Sequence, residues 1–356
     1  MKHSYLLIGI RPSKFIAMLK RNNGFSFKYL HRVLFLLTTG LWSGFFSFLE
    51  NRRFKTKINS IKKLNPPIFI VGNWRTGTTF LHQLLALDPQ FNFMSVFMVS
   101  HPDHFLVSKK YYMVMMSKLL NGKTRPMDNV KMGVDEPQED EYAIIKLYDH
   151  LILEKLIFQS SNEFFIDEKD DFLPKNEKKF LGVLELLMQK MQLRADKTPL
   201  FKNPFHSLRI PYIRKHFPEA RYIHIYRNPL KVIPSSIHMW NIVGRQNILK
   251  GRWIEPSIEN IARLYRKIII GIRNEFQSMK SNLNVEIQFE NLEKNPVDTV
   301  KEIYKQLELN FSLDYENKLI DYCDGLKSYK KNTHSISEDD KKQIKNIMHD
   351  TTPEYF

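Results

Sequence analysis

Apolar positions along the chain change period several times, and each change predicts an element. Ile68 to Gly72 (IFIVG) is a short unbroken apolar run, as expected of a strand covered on both faces in a parallel sheet. From Thr78 to Asp88 (TTFLHQLLALD) the spacing turns helical, with Phe80, Leu84, Leu87 and Leu81, Leu85 forming an apolar face. Residues 90–195 read mostly as helices and loops, Leu181 to Arg194 being the clearest helix. Three more strands are predicted at Thr198–Pro204, Ala220–Pro229 and Asn284–Leu292. Between the last two, Lys231–Trp240 begins a helix with Pro234 expected in its first turn, where proline is tolerated, and a long helix runs from about Pro256 to Lys280. Helices then continue to the end, with a loop near Lys327–Ser335. Strands alternating with helices predict an α/β fold with a central parallel sheet and right-handed crossovers. Pro66-Pro67 punctuates the chain, and no repeat, low-complexity tract or long linker divides the residues after it. The expected organisation is an N-terminal helical segment, 1–65, and one domain, 66–356.

The N-terminal segment carries its own pattern. Val33 to Leu49 (VLFLLTTGLWSGFFSFL) contains no charged residue. It falls short of the roughly 20 apolar residues that span a bilayer, and glycine, serine and threonine dilute it. Arg52, Arg53, Lys55, Lys57, Lys62 and Lys63 come next, with no acid between Asn51 and Pro67. An apolar helix beside a basic cluster fits an interfacial anchor on an anionic leaflet, which places the chain in the cytoplasm at the inner face of the membrane. The alternative is a helix packed on the core. The apolar run before Arg11-Pro12 is too short for a secretory signal.

Composition sharpens the chemistry. The 356 residues have a formal net charge of +16, which favours an anionic partner. The basic residues are dispersed and no nucleic-acid motif accompanies them, so nucleic acid is not expected as a partner. The single cysteine, Cys323, excludes an intrachain disulfide. The strongest chemical signal is the loop GNWRTGTTF, Gly72 to Phe80. It has the glycine spacing of a nucleotide phosphate loop, with Thr79 at the Ser/Thr position. The lysine position holds Thr78, and Arg75 stands inside the loop. Strand, glycine loop and helix N-terminus together form an anion site built from backbone N–H groups and the helix dipole. A kinase or other Mg²⁺-dependent phosphoryl-transfer enzyme needs an acid at a neighbouring strand end. Here YIHIYR ends in Arg227, and nothing acidic appears until Glu255. Ser235 lies about two turns into the next helix, so Arg227 and Ser235 can reach one phosphate. The expectation is two anion sites on one nucleotide and no metal.

That pair of motifs resembles the sulfotransferases that use 3′-phosphoadenosine-5′-phosphosulfate (PAPS). RTGTTFLH resembles their 5′-phosphosulfate loop, YRNPLKVIPSS their 3′-phosphate motif, and KNPFH, from Lys202, their strand-end lysine and following loop. RPMDNVKMGVDEPQEDEYA, Arg125 to Ala143, is similar to a segment of the family's bacterial branch. The resemblance spans roughly residues 66–350. It implies a P-loop NTPase-like three-layer fold and transfer of a sulfuryl group from PAPS to a hydroxyl without a metal. Arg75, Thr76, Gly77, Thr78 and Thr79 are implied to hold the 5′ end and Arg227 and Ser235 the 3′ phosphate, while Arg75 and Lys202 stabilise the leaving oxygen. Lys330, Lys331 and His334 are weaker candidates in a C-terminal loop closing over the nucleotide.

The acceptor hydroxyl needs a general base within hydrogen-bond reach. The acidic run Asp135, Glu136, Glu139, Asp140, Glu141 supplies candidates, of which Glu139 is favoured; His82 on the loop helix is the rival, and His206 trails. Phe, Met and Tyr are plentiful in residues 91–116 and 142–165, which suits a lipid-like or sterol-like alcohol, with a carbohydrate acceptor as the alternative.

Overall fold

The computed structural model describes residues 6–120, 133–170, 172–325 and 336–356. At its centre lie five parallel strands: β1 (Ile68–Val71), β2 (Phe91–Phe93), β3 (Thr198–Lys202), β4 (Arg221–Tyr226) and β5 (Asn284–Gln288), in the order β2-β3-β1-β4-β5. β1 is central, with Ile68 opposite both Leu200 and Arg221. The loops that leave β1, β3 and β4 therefore emerge side by side at the carboxyl edge of the sheet, where open α/β sheets bind ligands.

All four β1 side chains are buried, as its unbroken apolar run requires. The pleat sends them alternately to two cores. Ile68 and Ile70 join Leu200, Ile223, Ile225 and Ile287 beneath Leu81, Leu84 and Leu85 of the loop helix. Phe69 and Val71 face the other way, where Phe69 stacks on Phe201 and Tyr222 at centroid distances of 5.4 and 5.6 Å. Four strands stand where the sequence predicts them. β2 is the addition: three residues at the sheet edge are too short to show a period of their own, and pairing with β3 defines them.

Of the boundaries that differ from expectation, two bear on the site. The helix expected from Lys231 spans Pro229–Asn247, which puts Pro234 in its interior instead of its first turn. Asn228 sets the start, its side chain accepting from Leu230 N at 2.9 Å, and Pro229 fills the first helical position. The strand expected to reach Leu292 stops at Gln288 and becomes the helix Phe289–Lys294, which turns Phe289 in beneath the glycine loop.

Among the described residues, three α-helices precede the sheet: α1 (Pro12–Arg21), α2 (Leu30–Gly40) and α3 (Ser43–Ser60). The apolar run 33–49 is thus broken at Leu41-Trp42. By length and composition alone, Phe27–Ser60 is apolar enough to cross a membrane, a test that the core helix of a soluble protein also passes. The three helices share the main core through Phe15, Met18, Val33, Leu36 and Phe46. They are also tied to it ionically: Glu50 of α3 meets Lys190 at 2.5 Å, both side chains 3% exposed, and Arg21 makes a bidentate pair with Glu154 at 2.7 and 3.0 Å.

Candidate active site

The loop after β1 is built by its glycines and by one serine. Gly72 has φ 136° and Gly77 has φ 96°, conformations that L side chains resist. A Cβ at Gly72 would lie 2.4 Å from the Ile225 carbonyl oxygen, and one at Gly77 2.1 Å from the Phe289 ring. Arg75 also adopts φ 69°, which aims its side chain across the loop. Ser207 pins the loop entry, accepting from Gly72 N at 2.9 Å and donating to Gly72 O at 3.1 Å. Thr76 is fully buried and gives its hydroxyl to Asn73 O at 2.7 Å, which leaves its N–H as its means of meeting an anion. Thr78 and Thr79 open the loop helix and line the cleft above it.

Arg75, Ser235 and Arg227 lie next to one another, with Ser235 bonded to the loop arginine. Arg75 Nε donates to Ser235 Oγ at 2.9 Å, and Arg227 Nη1 reaches Arg75 O at 3.5 Å. The Arg227 guanidinium lies 4.2 Å from the Phe289 ring centroid. Its backbone is held by Tyr265, whose hydroxyl accepts from Arg227 N at 2.9 Å and donates to Arg227 O at 2.7 Å. Burial lowers the Arg227 pKa from its ordinary value, opposed by the nearby Glu293 and Glu290. Glycines at two loop turns, N–H groups at a helix start and two arginines fit a nucleotide carrying two anionic ends. The loop 326–335, with Lys330, Lys331 and His334, lies outside the described residues, as do residues 125–132 of the acidic segment's upstream part.

The acidic run resolves into a ladder. Glu139 Oε1 accepts from Lys202 Nζ at 2.5 Å, Asp140 Oδ2 meets His206 Nε2 at 2.7 Å, and Glu141 takes Arg209 bidentately at 2.7 and 2.9 Å. Asn203 donates to Glu141 as well, at 2.8 Å. Three consecutive carboxylates thus face Lys202, His206 and Arg209 along the end of β3 and the segment after it. Asp140, Glu141, His206 and Arg209 are all 0% exposed, whereas Glu139 is the member that opens on the cleft. Asp135 instead pairs with Lys109 at the surface.

His82 is 1% exposed and does not line the cleft. Burial, with the charge of Lys202 second, holds its pKa well below the ordinary histidine value, so the ring is neutral. Neither ring nitrogen has a hydrogen-bond partner among the described residues. His206 is committed to Asp140. The cleft itself brings Arg75, Thr78, Thr79 and Glu139 against an apolar wall of Trp74, Phe205, Met239, Trp240, Val243 and Leu153, with Leu6 from the N-terminus. Sequence reasoning misses Ser207, Arg209, Tyr265, Phe289 and Leu6, because each acts across the fold and none belongs to a local motif.

Residues 66–312 match the family model described as Sulfotransferase family. The chain belongs to that family. It is a sulfotransferase, and its sheet and flanking helices are the family's P-loop NTPase-like fold. It is 28% identical, over 93% of its length and 86% of theirs, to the omega-hydroxy-beta-dihydromenaquinone-9 sulfotransferases Stf3 of Mycobacterium bovis and Mycobacterium tuberculosis. Among solved structures it resembles sulfotransferase STF9 of Mycobacterium avium, with a TM-score of 0.66 at 16% identity over 86% of this chain and 81% of that one. It also resembles STF1 of Mycobacterium tuberculosis H37Rv, with a TM-score of 0.62 at 16% identity over 94% and 89% of the two chains.

Proposed function

We propose that this sulfotransferase sulfates the hydroxyl of a lipid-like alcohol, with Glu139 as the general base. The observation that carries the reading is a single cleft in which Glu139 and the phosphate loop face an apolar wall. In this reading the N–H groups of Thr76, Gly77, Thr78 and Thr79 hold the 5′ end of the donor, and Arg227 and Ser235 the 3′ phosphate. With PAPS as the donor, Glu139 takes the proton from the acceptor oxygen as that oxygen bonds to sulfur, and the bond between sulfur and the bridging oxygen breaks to release the nucleotide. Lys202, released from Glu139 as the carboxylate gains its proton, stabilises the charge left on the bridging oxygen together with Arg75. His82 is the second candidate base, disfavoured because it is buried and is not among the residues that line the cleft. The apolar lining favours a lipid over a carbohydrate, and the Stf3 relatives are named for a menaquinone-derived acceptor. Calorimetry without magnesium tests the donor site. The expected result is tight binding of 3′-phosphoadenosine-5′-phosphate (PAP), weak binding of AMP, and loss of that difference in Arg227→Ala. A magnesium-dependent preference for ATP would overturn it in favour of a kinase.

We further propose that residues 1–65 form a helical unit meeting the cytoplasmic membrane leaflet, and 66–356 the sulfotransferase domain. Leu41, Trp42, Phe45 and Phe48 are each more than half exposed around the start of α3. The rings of Trp42 and Phe45 continue through Phe46 to Tyr111 of helix Phe105–Leu120, with centroid steps of 6.5, 5.6 and 5.3 Å. Further along, Arg52, Arg53, Lys55, Lys57, Lys62 and Lys63 are exposed. Each such cation adds about 1 kcal/mol at an anionic surface. The buried Glu50–Lys190 pair supports contact with a bilayer over crossing it. Co-sedimentation with phosphatidylserine vesicles should retain the wild type and lose the Phe45→Ser/Phe48→Ser double variant. Equal partition of the two proteins would sink this idea.

A further inference from the structure

Leu6 stands in the wall of the cleft that holds Glu139, although it lies far in sequence from every nucleotide motif. It is 3% exposed, and its place is built, not incidental. Its N–H donates to Asn247 Oδ1 at 3.0 Å, and the Asn247 amide in turn donates to Val243 O at 2.8 Å, part of another wall residue. Three residues on, the segment is fastened to the corner between α2 and α3: Gly9 N donates to Thr39 Oγ1 at 3.3 Å, and Ser43 Oγ donates to Gly9 O at 3.0 Å. Arg11 then pairs with Asp103 at 2.8 Å. Residues 6–11 thus form a strut from the corner that carries exposed Leu41 and Trp42 to the apolar side of the active site.

We propose that Leu6 is an acceptor-selecting residue, the part of the N-terminal segment that sets the width of the cleft beside the reacting hydroxyl. The proposal rests on the sulfotransferase reading above and deepens it. Leu6 belongs to the apolar lining, while Arg75, Thr78 and Thr79 line the donor side. A change in its volume should therefore act on the acceptor alone. One side-chain change in an apolar pocket discriminates between substrates by about 10–200-fold.

The test compares geranylgeraniol, a slender primary alcohol, with cholesterol, a broad secondary one, in Leu6→Ala and Leu6→Phe. Leu6→Ala should raise the cholesterol-to-geranylgeraniol ratio of kcat/KM by about tenfold, and Leu6→Phe should lower it by about as much. The Kd for PAP should stay within about twofold in both. Leu6→Met, which conserves volume, is the control for folding and should leave the ratio unchanged. A ratio unmoved in both Ala and Phe variants, or activities and PAP affinity falling in step, would overturn the role of Leu6. Wild-type protein that binds PAP but turns over neither alcohol would overturn the lipid-acceptor reading and this proposal with it. Failure to bind PAP would instead strike at the donor site.

Discussion

Replacing Glu139 by glutamine keeps the shape of the side chain and removes its charge and basicity. The carboxylate is 14% exposed, and its partner Lys202 is 1% exposed, with 2.5 Å between Nζ and Oε1. The substitution has two effects, and their sizes separate them. The first is on stability. Stripping a buried ammonium of its counter-charge costs about 3–5 kcal/mol. The glutamine oxygen still accepts a hydrogen bond from Lys202, and Glu139 opens on the cleft, so a loss of about 1–2 kcal/mol is expected. The second effect is on turnover. A positioned general base contributes about 10²–10⁴-fold, equivalent to roughly 3–5 kcal/mol in the barrier. PAP should still bind with a Kd within about threefold of wild type, because Glu139 does not contact the Arg227–Ser235 end. The assay is kcat at saturating PAPS and acceptor, with PAP affinity and thermal unfolding measured on the same preparations. A double-mutant cycle with Lys202→Met completes it. If Glu139 only positions Lys202, the double variant should be no slower than Lys202→Met alone. Turnover of Glu139→Gln within about threefold of wild type, well below the size expected of a base, would refute the assignment.

The same geometry sets three other outcomes. Gly77→Ala must adopt a positive φ and push the Phe289 ring aside, so it should lose about 2–4 kcal/mol in chemical denaturation and weaken PAP binding, since Phe289 also carries Arg227. Glu141→Gln breaks the buried bidentate pair with Arg209, and about 3–5 kcal/mol should disappear from the unfolding free energy. Glu286 concerns pH. Burial would raise its pKa, but the hydrogen bond to His224 and the pairing with Arg273 outweigh it and bring the carboxyl down to about 2. A carboxylate depressed in the folded state stabilises fully above its unfolded value and loses that contribution as pH falls through about 2. Wild-type stability should therefore drop between about pH 5 and 2 by up to about 3 kcal/mol more than that of Glu286→Gln, as read from urea titrations at each pH.

The local part of the site is what the sequence determined by itself. Ile68–Gly72 reads as a buried strand because its apolar run has no polar break. Gly72 and Gly77 mark positive-φ turns, and the spacing of Arg227 and Ser235 reflects strand-then-helix geometry over eight residues. These features depend on neighbours within one or two turns, and so the glycine loop and the sheet's parallel character were legible. Glu139 is the acid of the run that the sequence favours, but its surroundings are not legible there: only the fold lays Glu139, Asp140 and Glu141 against Lys202, His206 and Arg209, some 60 residues away in the chain, and leaves Glu139 alone of the three open to the cleft. The same holds for β2, which exists by pairing with β3, and for the break at Leu41-Trp42, which lets α3 plant Glu50 on Lys190. Leu6 is the extreme case. A leucine near the N-terminus has no periodicity or motif to distinguish it, and it enters the active site only because Asn247, at the far end of a helix, offers its amide oxygen to the Leu6 backbone. Local chemistry is written in spacing, whereas partnership across the chain is settled by burial, where each charge and each N–H must find its complement.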